Sequence, residues 1–98
     1  MKTELILMNI MAEVTRAETI HPAWPRDLVK AAALCAEECG ELVRACNDYD
    51  ESRGSKKPMV TEAIHTAATA IRFLKGIELD NTQSKSLIDN NMKGNQNE

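Results

Sequence analysis

Three carboxylates lie close together in residues 36–42, at Glu37, Glu38 and Glu41. On a helix, Glu38 and Glu41 share one face, and like charges at that spacing repel by about 0.2–0.5 kcal/mol. Arg44, one turn after Glu41, is the only nearby basic residue on the same helix that could relieve them. A divalent cation with oxygen ligands would also do so. The alternative is a solvated acidic face that binds nothing.

Glu62 and His65 form a second candidate pair further along the chain. Their spacing matches the Glu-x-x-His motif with which helix bundles hold metal ions. The same spacing also arises by chance in helices that bind no metal, so the pair predicts a site only together with the carboxylates of the preceding helix.

Trp24, the only tryptophan, lies in a loop between Pro22 and Pro25, both of which disfavour helix at this point. Two interpretations are open. The indole ring can cover the end of a helix bundle, or it can offer a flat surface on which a nucleobase stacks.

Composition narrows the class of protein. The 98 residues suit one domain, and 43% hydrophobic residues with only 3% aromatic residues suit close-packed helices. A net charge of −3 argues against a nucleic-acid-binding surface. No apolar run approaches the ~20 residues that cross a bilayer, and the N-terminus lacks the features of a signal peptide. We therefore expect a cytoplasmic protein with no membrane or nucleic-acid partner.

Helical periodicity predicts an all-α fold with core helices over about 3–18, 26–51 and 58–76. The short polar connector after the second helix predicts that the third returns antiparallel to it. The prediction is one helical domain over residues 1–80, followed by a polar, partly disordered tail over 81–98.

Each helix has an apolar stripe that we expect to be buried. On the first helix it contains Leu5, Met8, Met11 or Ala12, and Thr15, and the face is widened by Leu7, Ile10 and Val14. On the second it is a coiled-coil-like seam in which the spacing alternates between four and three residues: Leu28, Ala32, Cys35, Cys39, Leu42, Cys46 and Tyr49. On the third it contains Val60, Ile64, Ala67, Ile71 and Leu74.

Three expectations follow from these stripes. Glu38 would lie at the margin of the seam, where a carboxylate is costly unless it is paired or bound to metal. The three cysteines would act as small buried hydrophobes. The seam is too long for three helices to cover, so the bundle would be completed by association with at least one further copy.

These motifs together resemble the MazG-like all-α nucleoside triphosphate pyrophosphohydrolases, over about residues 22–76. That family carries Glu-x-x-Glu, a spacer, and then Glu-x-x-Asp. Glu38-x-x-Glu41 matches the first half and Glu62 opens the second, whereas His65 stands where the family pattern has Asp. The chain looks most like the short single-domain members from phage and mobile gene cassettes.

The resemblance implies a Mg²⁺-dependent enzyme, with Mn²⁺ as a possible substitute, that hydrolyses (d)NTP to (d)NMP and pyrophosphate as nucleotide-pool house-cleaning. It implies a homodimer or homotetramer. By the resemblance, the metal ligands are Glu38, Glu41, Glu62 and, as a softer ligand, His65. The catalytic carboxylates are Glu37, Glu38 and Glu41. The substrate-binding residues are Trp24, Lys30 and Arg72, although surface charge is the alternative for the two basic residues.

Two other functions are compatible with the same residues. One is a di-iron or di-manganese carboxylate bundle built from Glu-x-x-His and Glu-x-x-Glu motifs of two chains. The other is a catalytically silent helical interaction module, in which Glu38 and Glu41 pair with basic residues of another subunit. Metal-dependent release of pyrophosphate would distinguish the enzyme from both.

Overall fold

The computed structural model describes residues 1–77, and this part of the chain contains three helices and no strand. They are α1 (Thr3–Ile20), α2 (Leu28–Ser52) and α3 (Lys57–Gly76). The all-α prediction is therefore confirmed, and the predicted bounds differ from the observed ones by about two residues at most. The predicted tail over 81–98 lies outside the described residues.

Local side-chain chemistry determines where α2 begins and ends. The Asp27 carboxylate accepts a hydrogen bond from the Lys30 backbone N–H at 2.9 Å, so α2 begins at Leu28 rather than directly after Pro25. At the other end, Arg53 adopts a left-handed conformation with φ 54°, and its N–H donates to the Tyr49 carbonyl at 2.7 Å. The following connector of residues 53–56 is short enough to turn α3 back along α2.

α3 lies at the centre and packs against both other helices, whereas no Cα atoms of α1 and α2 lie within 8 Å of each other in residues 1–77. α1 and α3 run in the same direction, since Glu13 faces His65 and Glu18 pairs with Lys75 further along both helices, at 2.8 Å. This arrangement explains why α3 carries half-buried polar residues on the side opposite its apolar stripe: that side also contacts a neighbouring helix.

The packed face of α2 differs from the predicted seam. Ala31 and Ala45 are buried, and the half-buried residues that continue this face are Leu34, Cys35, Glu38, Leu42 and Tyr49. Four residues of the predicted seam are exposed instead: Leu28, Ala32, Cys39 and Cys46. Glu38 therefore lies within the packed face rather than at its margin. The prediction that all three cysteines are buried is wrong for Cys39 and Cys46 in the single chain.

The physical reason is that α2 is apolar on more than one side. Small and aliphatic residues opposite the packed face also remain exposed, and we call them the outer face of α2: Val29, Ala33, Ala36, Gly40 and Val43. Periodicity alone could not say which apolar side meets α3.

The apolar stripes of α1 and α3 were also predicted only in part. On α1, Ile10 is half-buried and Val14 is buried, as predicted. The other predicted residues of this face are exposed: Leu5, Leu7, Met8, Met11, Ala12 and Thr15. The packed face of α1 also includes Ile6, Glu13 and Ala17, which were not predicted. On α3, Ile64, Ala67 and Ile71 are half-buried as predicted, whereas Val60 and Leu74 are exposed.

Trp24 closes the C-terminal end of α3. A Cβ atom at Gly76 would lie 2.8 Å from Cδ1 and 2.9 Å from Nε1 of the indole ring, so only glycine permits this approach. The Arg72 guanidinium lies 4.8 Å from the ring centroid, in a cation–π arrangement. The structural interpretation of Trp24 is thus realised: the half-buried ring packs against the end of a helix.

Within residues 1–77, none of the helices combines the length and apolar character that crossing a bilayer requires.

Candidate metal centre

All three helices contribute side chains to one cleft of about 380 Å³, which we call the central cleft. Four carboxylates line it: Glu13 from α1, Glu38 and Glu41 from α2, and Glu62 from α3. The remaining charged or titratable residues that line it are Arg16, His21, His65 and Arg72. The cleft therefore combines oxygen and nitrogen donors with two guanidinium groups.

Glu38, Glu62 and His65 form a compact Glu–Glu–His cluster in this cleft. One donor atom from each residue lies within 4.8 Å of the other two. His65 Nδ1 is 3.6 Å from Glu62 Oε2 and 3.9 Å from Glu38 Oε2. Two packed helices hold the cluster together, because Glu62 and His65 share one face of α3 and Glu38 lies on the face of α2 that packs against it.

Two carboxylate oxygens of the cluster lack the partners that burial normally requires. Glu38 Oε2 and Glu62 Oε2 are buried, and neither has a hydrogen-bond partner among the described residues. A buried acceptor without a partner costs roughly 1–3 kcal/mol, and more when it is charged. A dication fits this arrangement, because it would satisfy both oxygens and offset their negative charge. The chemistry of the donor set thus meets the requirement for a divalent metal ion.

The environment of Glu38 disfavours its ionised form. Burial raises the pKa of the Glu38 carboxyl above its ordinary value of 4.5, and the neighbouring charges of Glu41 and Glu62 raise it further. A positive charge on His65 lowers the pKa of Glu38 but does not reverse the shift. A bound cation would favour the carboxylate, so metal binding at this position displaces the equilibrium toward the ionised form.

Glu13 and Arg16 belong to the central cleft although the sequence analysis did not select them. Arg16 donates two hydrogen bonds to the Glu13 carboxylate, at 2.7 and 2.6 Å. These bonds lower the pKa of Glu13, with a further contribution from the charge of His65. One signal was available in the sequence: Glu13 interrupts the apolar positions Ile10, Val14 and Ala17, as a carboxylate in a packed helix face would.

Five of the predicted site residues line the central cleft: Glu38, Glu41, Glu62, His65 and Arg72. Arg72 also donates a hydrogen bond to the His21 carbonyl at 2.6 Å. Trp24 does not line this cleft, but it shares Arg72 with it through an adjoining cavity of about 220 Å³. Glu37 and Lys30 are exposed on α2 and do not line the central cleft.

Comparisons of the chain with protein families, with curated proteins and with solved structures found no match. The resemblance to MazG-like pyrophosphohydrolases therefore depends on the motifs in the sequence.

Proposed function

We propose that this protein is a divalent-metal-dependent nucleoside triphosphate pyrophosphohydrolase of the MazG-like type, using Mg²⁺ with Mn²⁺ as a substitute. It would hydrolyse (d)NTP to (d)NMP and pyrophosphate and so remove unwanted nucleotides from the pool. The observation that carries the proposal is the pair of unpartnered buried oxygens of Glu38 and Glu62, set in a cleft that two arginines also line. Acidic side chains for a cation and guanidinium groups for phosphates are what a triphosphate requires.

The residues of the cleft divide the work of hydrolysis between them. Glu38 and Glu62 would hold the cation, which would neutralise the triphosphate and lower the pKa of the attacking water. Glu41 is exposed beside Glu38 and would accept the proton of that water. The water oxygen attacks the α-phosphorus, and the bond from the α-phosphorus to the bridging oxygen breaks to release pyrophosphate.

The arginines account for binding of the phosphates. Arg72 lines both the central cleft and the cavity beside Trp24, so it can contact the phosphates while the base lies toward the indole ring. Arg16 approaches from α1 and leaves most of its side chain exposed while it pairs with Glu13. Lys30 and Glu37 remain candidates only if nucleotide or a second copy brings the exposed side of α2 to the substrate.

Self-association is part of the proposal. The outer face of α2 is apolar and exposed, with Val29 at 80% and Val43 at 55% of full exposure. A helix that is apolar on opposite sides is normally buried on both. A second copy packed on this face would complete the bundle as a homodimer, and further pairing would give a homotetramer.

A second candidate is a di-iron or di-manganese carboxylate bundle. The position of the His65 imidazole between Glu38 and Glu62 favours it, since such bundles combine a Glu with a Glu-x-x-His motif. Two copies would supply two such sets. Visible absorbance on addition of Fe²⁺ and oxygen, without pyrophosphate release from any nucleotide, would select this candidate over hydrolysis.

The test is a screen of the eight common NTPs and dNTPs for pyrophosphate release with Mg²⁺ or Mn²⁺. Glu38→Gln and Glu62→Gln keep the size of the side chain and remove its charge. We expect each to lose at least about a hundredfold in kcat/KM, or roughly 2.7 kcal/mol of transition-state stabilisation. Glu51→Gln, an exposed carboxylate at the end of α2, is the matched control and should retain activity. A wild-type protein that releases no pyrophosphate from any of these nucleotides refutes the proposal.

A further inference from the structure

The imidazole of His65 lies between carboxylates on both of its nitrogen atoms. Nδ1 faces Glu62 Oε2 at 3.6 Å and Glu38 Oε2 at 3.9 Å, whereas Nε2 faces Glu13 Oε2 at 3.6 Å. The three carboxylates come from three different helices. The ring thus connects α1 to the two helices that carry the Glu–Glu–His cluster.

The distances from Nδ1 to Glu62 Oε2 and Glu38 Oε2 suit a single ion bound by all three atoms. Neighbouring ligands of an octahedral ion with bonds of about 2.1 Å lie about 3 Å apart. The distances from Nδ1 to the two oxygens exceed this by less than 1 Å, which rotation of the half-buried Glu38 and Glu62 side chains can remove. The two oxygens concerned are the buried ones without hydrogen-bond partners. Nδ1 is therefore positioned as a third ligand.

Glu13 is suited to orient the ring. Its side chain is 85% buried, and Arg16 fixes its carboxylate by donating two hydrogen bonds, at 2.7 and 2.6 Å. A carboxylate facing Nε2 favours the tautomer that carries its proton on Nε2, which leaves the Nδ1 lone pair for a metal. Metal-binding histidines commonly donate their second N–H to a carboxylate in this way.

We propose that His65 Nδ1 is a metal ligand, with Glu13 as its positioning residue, and that this nitrogen makes the site bind Mn²⁺ in preference to Mg²⁺. The inference rests on the metal centre of the proposed function and deepens it by ranking the affinities of the site for the two cations. It concerns binding and does not depend on whether the bound ion hydrolyses a nucleotide.

The preference follows from ligand chemistry. Mg²⁺ is a hard ion that loses its water reluctantly and selects oxygen ligands. Imidazole binds first-row transition metals better than it binds Mg²⁺, and among these metals the affinity is lowest for Mn²⁺ and rises toward Cu²⁺. A site with two carboxylates and one imidazole therefore discriminates against Mg²⁺ more strongly than a site of carboxylates alone. Mn²⁺ keeps the octahedral, oxygen-rich coordination that a triphosphate also needs.

The experiment measures binding on the full chain without nucleotide. Calorimetry gives the Kd values of Mn²⁺ and Mg²⁺, and pulsed electron paramagnetic resonance of bound Mn²⁺ detects a directly coordinated nitrogen by its modulation of the echo. We expect the wild type to bind Mn²⁺ at least about tenfold more tightly than Mg²⁺ and to show nitrogen modulation. His65→Asp and His65→Asn should lose the modulation, and His65→Asp should reduce the Mn²⁺/Mg²⁺ preference by about tenfold.

Two further variants distinguish metal ligation by His65 from the effect of losing another histidine or a nearby charge in the central cleft. His21→Asn removes the other histidine of the central cleft and should leave both the modulation and the preference unchanged. Glu13→Gln keeps the shape of the side chain but removes its charge, and should weaken Mn²⁺ binding by about tenfold while the nitrogen modulation persists. If Glu13→Gln changed neither ion's affinity, Glu13 would have no positioning role.

The outcomes separate this inference from the proposed function. Bound Mn²⁺ without nitrogen modulation in the wild type, or failure to bind either ion, overturns the inference. Pyrophosphate release with Mg²⁺ would still stand if an all-oxygen site were found. Conversely, nitrogen modulation in a protein that hydrolyses no nucleotide would support the inference and refute the pyrophosphohydrolase.

Discussion

Glu38 and Glu37 are adjacent in the sequence but have different environments. Glu37 is exposed, whereas Glu38 lies in the packed face of α2, with one carboxylate oxygen buried and without a partner among the described residues. A single position on a helix changes the direction of a side chain by about 100°. The chemical difference between the two residues is therefore a consequence of which side of α2 meets α3.

This environment predicts that Glu38→Gln stabilises the metal-free protein at neutral pH. Because the folded-state pKa of Glu38 lies above its ordinary 4.5, the fold favours the protonated form. The stability contributed by Glu38 is fully present below pH 4.5 and is lost as the pH rises through the raised pKa. The variant should match the wild type near pH 3.5 and exceed it at pH 7, by denaturant unfolding in chelator-treated buffer.

Addition of metal should make the wild type more stable than Glu38→Gln. A dication at a hundredfold excess over its Kd stabilises the wild type by about 2.7 kcal/mol, and the variant should gain less. Glu51→Gln should follow the wild type in both buffers. A wild-type melting temperature that ignores Mg²⁺ and Mn²⁺, with or without nucleotide, would make the cluster a structural acidic group.

Gly76→Ala should destabilise the protein, because its methyl group would lie within 3 Å of the Trp24 ring. The expected loss is about 1–3 kcal/mol, as for other overpacked sites. Gly54→Ala is the matched control: its Cβ would meet only Ser52 Oγ at 3.6 Å, an ordinary contact. Thermal unfolding of both variants checks the prediction, and equal melting temperatures would show that Trp24 can move aside without loss.

At the level of the element, the start of α2 depends on one side chain. Asp27 accepts a hydrogen bond from the Lys30 N–H, one of the amides that have no partner within the helix. Asp27→Ala should reduce the free energy of unfolding by about 1 kcal/mol, and Asp27→Asn should retain most of it. Urea denaturation distinguishes the two. Equal losses in both variants would indicate that charge, rather than capping, is what matters at this position.

At the level of the whole molecule, exposed apolar surface predicts association through the outer face of α2. The wild type should scatter light as a dimer or larger at micromolar concentration. Val43→Lys should dissociate it while preserving helix content by circular dichroism. Leu7→Lys on α1 is the matched control, since Leu7 is exposed to 56% and Val43 to 55%. A monomeric wild type, or equal dissociation by both variants, is inconsistent with an interface at this face.

The sequence by itself determined the helices and their approximate ends. Asp27, Pro58 and the polar residues of the connector act over a few positions, and such local preferences do not depend on the rest of the fold. The same holds for the shared face of Glu62 and His65, since i, i+3 spacing on a helix is sufficient to bring two side chains together. Glu38 was likewise selected from local spacing alone.

Tertiary packing decided which apolar side of each helix is buried. α1 and α2 each have more than one apolar side. Burial of either side of a helix would give an almost equal gain in free energy from the hydrophobic effect. The central position of α3 selects between them, and so places Glu38 inside the packed face and leaves Cys39 and Cys46 exposed. It also brings Glu13 of α1 to His65 across many residues of sequence. Helical periodicity contains no information about such contacts, because they depend on which helix becomes the neighbour.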